Sequence, residues 1–503
     1  MNKLLLCLCT CLLLISTAFA QLDDLEFDGS NQLRFDNGRE VDDRRVGLDL
    51  THPNNTIARR FVENRLRLDL FSGDFRLGGR YLYFRPSEAD VDQFRLEDEN
   101  RFDKRFFEGQ IDPLKFRFGH FSELWASGLV LSSFENRDLY FDSELDGVRT
   151  QVNAGSIKLT GLTGTTEEGP LVPVTKITAG RIELSPGAEH LGFSYVYHDS
   201  GATPEASVAG VDWNLTRGIV NVYGERAWNE VILQGGNTPG HATFVGTTIS
   251  KWGWSLLAEY ADYNYKQVTP IQNPPTTHRE VGPRLLQGRE PHVANIPDEV
   301  GIQFELSGSL GENTFVNGHF NANSRHSEED ETVPLPTLEE KYRAYWEVFA
   351  NVDQSFDGGQ ELFVELGANE EAASIWQERM WTQVRASFPF KGSQEIEVET
   401  EQLFITDKGR DDEKFHDMLY AISWIPNGAF SLHGSVQLTD DEELKKKEGD
   451  YWASGEAAWK FSGGKHRAIV FFGSERGGLK CSNGVCRQVQ AFSGFRLTLE
   501  TSL

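Results

Sequence analysis

The chain is organised by an alternation of period two. In Val300-Gly301-Ile302-Gln303-Phe304-Glu305-Leu306 and Glu361-Leu362-Phe363-Val364-Glu365-Leu366, apolar residues recur on one face and polar or charged residues on the other. The same pattern runs through Arg65-Leu66-Arg67-Leu68-Asp69-Leu70 and through Phe430-Ser431-Leu432-His433-Gly434-Ser435-Val436-Gln437-Leu438. Successive side chains of an extended strand point to opposite faces, so each segment predicts a strand with one apolar and one polar side. The repeats last about ten residues, the length of a tilted strand crossing a bilayer. A soluble half-buried sheet would alternate in the same way, so the connections have to decide.

The connections alternate as well. Ser72-Gly73-Asp74, Asp112-Pro113-Leu114, Asn153-Ala154-Gly155, Lys391-Gly392-Ser393 and Pro426-Asn427-Gly428 have tight-turn compositions. Between such turns lie long, charged or irregular stretches at 86–102, 121–145, 263–298, 325–339, 406–412 and 439–449. In a meander, strict alternation puts every turn at one end and every loop at the other. Outer-membrane barrels have that asymmetry, with short periplasmic turns and long extracellular loops. The expected fold is therefore all-β, a transmembrane antiparallel up-and-down barrel of about 22–24 strands, an even number. Leu33–Asp36 and the stretch after Val174 alternate poorly and leave that number open by two.

The chain ends in GFRLTLETSL, which alternates to its last residue. This predicts a closing strand from about Gln488, with Val489, Ala491, Phe495, Leu497, Leu499 and Leu503 facing lipid. Arg496, Thr498 and Glu500 would then face the lumen. The stretch resembles the C-terminal assembly signal of outer-membrane proteins, and departs from it by ending on Leu instead of Phe or Trp. At the other end, Met1-Asn2-Lys3, an apolar run from Leu4 to Ile15, and Ala18-Phe19-Ala20 read as a cleavable signal peptide over residues 1–20. Residues 21–503 would form the barrel.

Composition changes the picture little. The 503 residues carry a net charge of −27 and 12% aromatics, and a mean hydropathy of −0.43. That polarity suits a barrel, whose lumen and loops are polar. Strong acidity argues against a nucleic-acid partner.

The polar faces suggest a pattern within the lumen. Early strands place Arg65, Arg67, Arg76, Arg80, Lys115 and Arg117 there, and a later strand places Glu395, Glu397, Glu399 and Glu401. The two sets either form opposed basic and acidic walls that set a transverse field, or are neutralised by local pairing. Residues 121–145 stand out among the loops, because Gly128-Leu129-Val130-Leu131 is too apolar to face solvent. An inward-folded constriction loop is expected, with Glu123, Trp125, Leu129, Leu131, Phe134 and Arg137 as candidate lining residues. Cys481 and Cys486 flank Asn483-Gly484 and suit a hairpin-tip disulfide in an oxidising compartment. C-x4-C without a nearby His is a poor zinc pattern, and no metal or cofactor is expected.

His198-Asp199-Ser200-Gly201 resembles the H-x-S-x-G arrangement of outer-membrane phospholipase. That family's following Asn and calcium-binding Ser find no match, and no other catalytic motif is present, so an enzyme is not expected. The acidic Glu328-Glu329-Asp330-Glu331 reads as a solvated loop, or as a site for cations bridging surface lipids. The segment from Gly119-His120-Phe121 through Gly128-Leu129-Val130-Leu131-Ser132-Ser133-Phe134 is similar to one in a family of uncharacterised bacterial outer-membrane barrels. The resemblance spans about residues 60–165 and the Cys481–Leu503 end, and implies fold and an outer-membrane location in a Gram-negative bacterium. It assigns no substrate.

Expected partners are outer-membrane lipid, lipopolysaccharide, the barrel-assembly machinery and other envelope proteins. The expected function is a passive or loop-narrowed, porin-like channel for small hydrophilic solutes. A scaffold or accessory subunit of an assembly or secretion complex is the alternative. The roughly sixty residues before the first confident strands are too few for the globular plug of a TonB-dependent transporter.

Overall fold

The alternating segments form one antiparallel sheet of 24 strands that closes on itself. The computed structural model describes residues 25–41, 56–87, 96–169, 172–199, 201, 205–232, 238–265, 269, 271–278, 286, 292, 297–327, 334–372, 376–482, 485–489 and 491–503. Residues 1–20 and Glu328–Glu331, two segments read from the sequence, lie outside them.

In chain order the strands are β1 (Leu25–Val41), β2 (Thr56–Ser72), β3 (Phe75–Arg85), β4 (Glu99–Ile111), β5 (Leu114–Phe121) and β6 (Leu145–Ala154). There follow β7 (Ile157–Thr166), β8 (Lys176–Leu184), β9 (His190–Asp199), β10 (Ala206–Arg217), β11 (Val220–Val231) and β12 (Thr238–Lys251). The third quarter is β13 (Trp254–Asn264), β14 (Glu299–Ser309), β15 (Thr314–Ser324), β16 (Tyr345–Ser355), β17 (Glu361–Glu371) and β18 (Gln377–Phe390). The last is β19 (Gln394–Asp407), β20 (Glu413–Asn427), β21 (Phe430–Thr439), β22 (Tyr451–Phe461), β23 (His466–Glu475) and β24 (Phe492–Ser502).

Each strand pairs with its chain neighbours, and β1 also pairs with β24 through Leu33↔Leu499 and Asp36↔Arg496. No edge remains unpaired, which a backbone in hydrocarbon requires. Short turns lie at one end of the barrel and long connections at the other, as the sequence predicts.

The two faces follow the alternation. Leu366, Phe404, Ile422 and Phe472 point outward and are exposed, while the neighbouring Glu365, Leu403 and Phe471 are buried inside. Such a belt of exposed large apolar side chains is what lipid, not water, covers. Aromatic residues mark both rims: Phe102, Trp228, Trp376 and Tyr451 on the loop side, and Trp252, Phe356, Phe388 and Trp459 on the turn side. These are the interfacial positions aromatic girdles occupy.

The poorly alternating stretches are also strands: Leu33–Asp36 lies in β1, and β8 follows Val174. The closing strand differs from expectation at its start. It begins at Phe492, whereas Val489 belongs to a separate two-stranded hairpin, Gly478–Ser482 with Val485–Val489. Ala491 is buried and does not face lipid.

Candidate functional site

The candidate site is built from the connection between β5 and β6. After β5 the chain turns into the barrel as two short successive hairpins, Glu123–Leu124 with Ser132–Ser133 and Glu135–Asn136 with Phe141–Asp142. The tip is a compact turn in which Trp125 N donates to Leu131 O at 2.9 Å and Gly128 N to Trp125 O at 2.9 Å. Gly128 has φ +88°, and a Cβ there would lie 2.8 Å from Asn273 O, so this position takes glycine for both strain and space.

The tip has a prepared seat. Leu162, Ala179, Val196 and Val208 lie side by side on β7–β10 through the pairs Leu162↔Ala179, Ala179↔Val196 and Val196↔Val208. Ala227, Ala242 and Tyr263 continue the apolar patch on β11–β13. Leu129, Val130 and Leu131 pack into it and are fully buried. Burying side chains of this size contributes about 1.5–3 kcal/mol each. The seat is shaped at Gly210, where a Cβ would come within 2.3 Å of Val130 Cγ2.

One polar group interrupts this apolar seat. Glu225, on β11 and 1% exposed, accepts from Ser127 N at 3.0 Å, Ser127 Oγ at 2.6 Å and Leu129 N at 3.2 Å. A second connection, from Tyr265 to Asp298, crosses the tip. Ser132 N donates to Ile271 O at 2.7 Å and Asn273 N to Gly128 O at 3.2 Å. The same connection touches the far wall, where Leu286 N donates to Glu401 Oε2 at 2.9 Å. His292 stacks on Tyr345 with ring centroids 4.2 Å apart, and its Nδ1 lies 2.6 Å from Glu371. Burial alone would lower the His292 pKa, but the Glu371 carboxylate outweighs it and holds the value above the usual histidine range.

Open space remains around the tip. A cavity of about 670 Å³ lies between the two connections, with Ser122, Glu123, Ser133 and Asn273 on its wall beside Leu124 and Phe134. A second, of about 460 Å³, reaches the turn-side rim past Arg76, Lys115, Arg117 and Arg149, and shares Ser122 and Glu123 with the first. A third, of about 510 Å³, lies against Arg181, His190 and Asp212, and shares Ser127 with the first.

The predicted lining residues divide. Trp125, Leu129 and Leu131 are buried in the seat. Glu123 accepts from Trp125 Nε1 at 2.7 Å and pairs with Arg149. Phe134 packs beside Phe141 at 4.9 Å, and Arg137 is bound to Glu63 at 2.9 Å. Of the six, Glu123 alone lines both the inter-loop and rim cavities, and Leu129 and Leu131 line neither of them.

The basic set faces the lumen among carboxylates. Arg67 pairs with Asp69 at 2.9 Å, Arg76 with Glu108 at 3.1 Å, Arg117 with Glu108 at 2.9 Å, and Arg80 with Asp103 and Glu135. Arg65 hydrogen-bonds Gln32. Lys115 lines the rim cavity. The acidic row is different. Ser387 donates to Glu395, and Gln383 donates to Glu399 at 2.6 Å and Glu401 at 3.3 Å. Among the described residues no Arg or Lys lies within ion-pair distance of Glu395, Glu397 or Glu399. Ion pairs thus hold four of the six basic residues, whereas the acidic row on β19 has Arg385, opposite Glu399, as its neighbouring cation without an ion pair.

Sequence reasoning missed Glu225 and the small apolar row of its seat. The row's signal was present: Ala179, Val196, Val208, Ala227 and Ala242 occupy inward positions where a lumen would be polar. His198 is buried on the inner face of β9, and Ser200 of the phospholipase-like motif lies outside the described residues.

Among solved structures, the P pilus tip assembly intermediate PapC-PapD-PapK-PapG of E. coli aligns over 94% of this chain and 60% of that one, with 9% identity and a TM-score of 0.50. The PapC usher translocation pore aligns over 95% of this chain and 99% of that one, with 9% identity and a TM-score of 0.48. OpdO of Pseudomonas aeruginosa covers 69% of this chain and 93% of its own, with 10% identity and a TM-score of 0.42. At such identities the likeness concerns the fold alone, a large β-barrel. No curated protein matches the sequence. The sequence model described as Family of unknown function (DUF6029) matches residues 1–264 and 283–503, and with nearly the whole chain matched, the protein belongs to that family.

Proposed function

We propose that the protein is an outer-membrane channel for small hydrophilic solutes, narrowed by the inward-folded connection between β5 and β6. The observation that carries this reading is the cavity of about 670 Å³ between the two crossing connections, where Ser122, Glu123, Ser127, Asn273 and Thr276 stand among Leu124, Phe134 and two prolines. Ser122 and Glu123 also line the rim cavity, so hydrophilic groups are found on both sides of the apolar tip. Hydroxyl, amide and carboxylate groups of that kind can replace part of a solute's hydration shell as it passes. Residues 1–20 serve in this reading as a cleaved signal peptide, and Cys481 and Cys486 as a disulfide that clips the loop-side hairpin. The outer belt faces lipid and, on the loop side, lipopolysaccharide; the last strand is the segment offered to the assembly machinery.

A second reading, a scaffold in an envelope complex that conducts little, draws support from the full burial of Leu129, Val130 and Leu131 across the lumen. Planar-bilayer recording separates the two. Under the channel reading the purified protein conducts, and deletion of Trp125–Phe134 raises conductance while the barrel still shifts its gel mobility on heating. A folded deletion variant that stays electrically silent would sink the channel reading.

A further inference from the structure

We infer that Glu225 is a releasable catch for the constriction, a positioning residue whose carboxylate decides whether the tip at Ser127–Leu129 stays seated. The inference rests on the channel reading for its effect on conduction, but not for the movement itself.

Glu225 stands on β11 at the margin of the seat, between Asp212 on β10 and Phe244 on β12, with Ala227, Ala242 and Gly210 beside it. An apolar side chain there would serve a permanent plug better, because a buried carboxylate is costly unless its oxygens are satisfied. Here three donors satisfy it, all from the tip: Ser127 N, Ser127 Oγ and Leu129 N. Among the described residues no cation lies within ion-pair distance of it. Its partners therefore leave together when the tip lifts, and the carboxylate then meets lumen water, which solvates it well. Glu225 is satisfied in both arrangements, whereas an apolar residue would be satisfied in one. A two-state element needs that property at its point of contact.

The tip itself is shaped to come away as a unit. It is closed by its own Trp125–Leu131 and Gly128–Trp125 hydrogen bonds, so it keeps its form without the wall. Ser127 also lines both the inter-loop cavity and the cavity against Arg181 and Asp212. Lifting the Ser127–Glu225 contact would merge the two spaces and widen the passage.

The test uses the protein after removal of residues 1–20, which carry Cys7, Cys9 and Cys11, with Cys481 and Cys486 replaced by Ser and Leu129→Cys introduced as a buried reporter. All three donors reach Oε2, so Glu225→Gln keeps the volume and an acceptor oxygen there but removes the charge that strengthens these bonds. Labelling of the reporter by a small maleimide should then speed up by about tenfold, the factor expected from losing that charge assistance. Channel recordings without the reporter should show longer open intervals in Glu225→Gln. Should Glu225→Gln fail to fold, Ser127→Ala removes only the hydroxyl donor and should give a smaller acceleration of the same sign. Unchanged labelling in folded Glu225→Gln would overturn the catch. Faster labelling with no conductance in any variant would support the catch and overturn the channel reading.

Discussion

Tyr265 donates its hydroxyl to the carbonyl of Leu129 at 2.7 Å, across 136 positions of sequence, in a fully buried setting. This bond is one of several that join the second crossing connection to the tip of the first. Gln272 Nε2 reaches the same carbonyl at 3.3 Å, so the oxygen keeps one partner if the tyrosine hydroxyl is lost. Tyr265→Phe should therefore cost only about 1 kcal/mol and leave the barrel assembled. Its effect should appear as noisier single-channel current, because the tip loses one of its ties to the connection above it. Identical current noise in the wild type and the variant would show that this tie does not restrain the tip.

Charge selectivity follows from the asymmetry of the walls. Arg67, Arg76, Arg80 and Arg117 are ion-paired to local carboxylates, whereas Glu395, Glu397 and Glu399 make no ion pair among the described residues. The open channel should favour cations at low salt, and the preference should fade as the Debye length falls from about 10 Å at 0.1 M to about 3 Å at 1 M. Changing these three residues to Gln should remove most of the preference; Glu401 is best left intact because it holds Leu286 N. Reversal-potential measurements in a salt gradient provide the check, and an anion preference in the unaltered protein would contradict it.

Cys481 and Cys486 are direct partners in the hairpin register. If the protein is exported, the pair should be oxidised, and alkylation of denatured, unreduced protein should find no free thiol. The bridge would close a short loop and so add little loop-closure stabilisation. Reduction should therefore leave the heat-shift transition nearly unmoved.

The connection between β15 and β16 should dock in a pH-dependent way. His326 lies 3.2 Å from Asp262 and 2.8 Å from Asp298, and the hydrogen bond to Asp262, opposed by partial burial, raises its pKa above the ordinary 6.5. A group with a raised folded value stabilises the docked form fully below its unfolded value and loses that contribution as pH climbs through the folded one. Protease cleavage within 325–344 should thus be slow at low pH and accelerate above the raised value. His326→Gln should flatten that profile; a profile of opposite slope would refute the assignment.

The sequence carries much of this fold and less of its site. Alternation such as Val300–Leu306 defines each face locally, because a one-residue slip would reverse every side chain. It failed near Gln488 because Val489 and Ala491 continue the parity of β24 while the chain has left the sheet for a hairpin. The ion pairs on the basic side were partly visible, since Arg34 and Asp36, or Arg67 and Asp69, sit two apart on one face. The apolar run Gly128–Leu131 indicated that the loop had to be buried. Glu225 gave no such sign: an inward glutamate on a barrel strand is ordinary, and its partner Ser127 lies 98 positions away.

The seat of the constriction also sets an order of events during biogenesis. Gly128–Leu131 is synthesised before β7–β13, the strands that bury it. Until those strands are in place, the tip is an apolar segment with no wall to rest on, and its contacts close only over long stretches of chain. Contacts of that kind form late and slowly, and apolar surface left waiting invites aggregation. The segment that narrows the finished lumen is thus among the parts of the chain most exposed to aggregation while the barrel is being made.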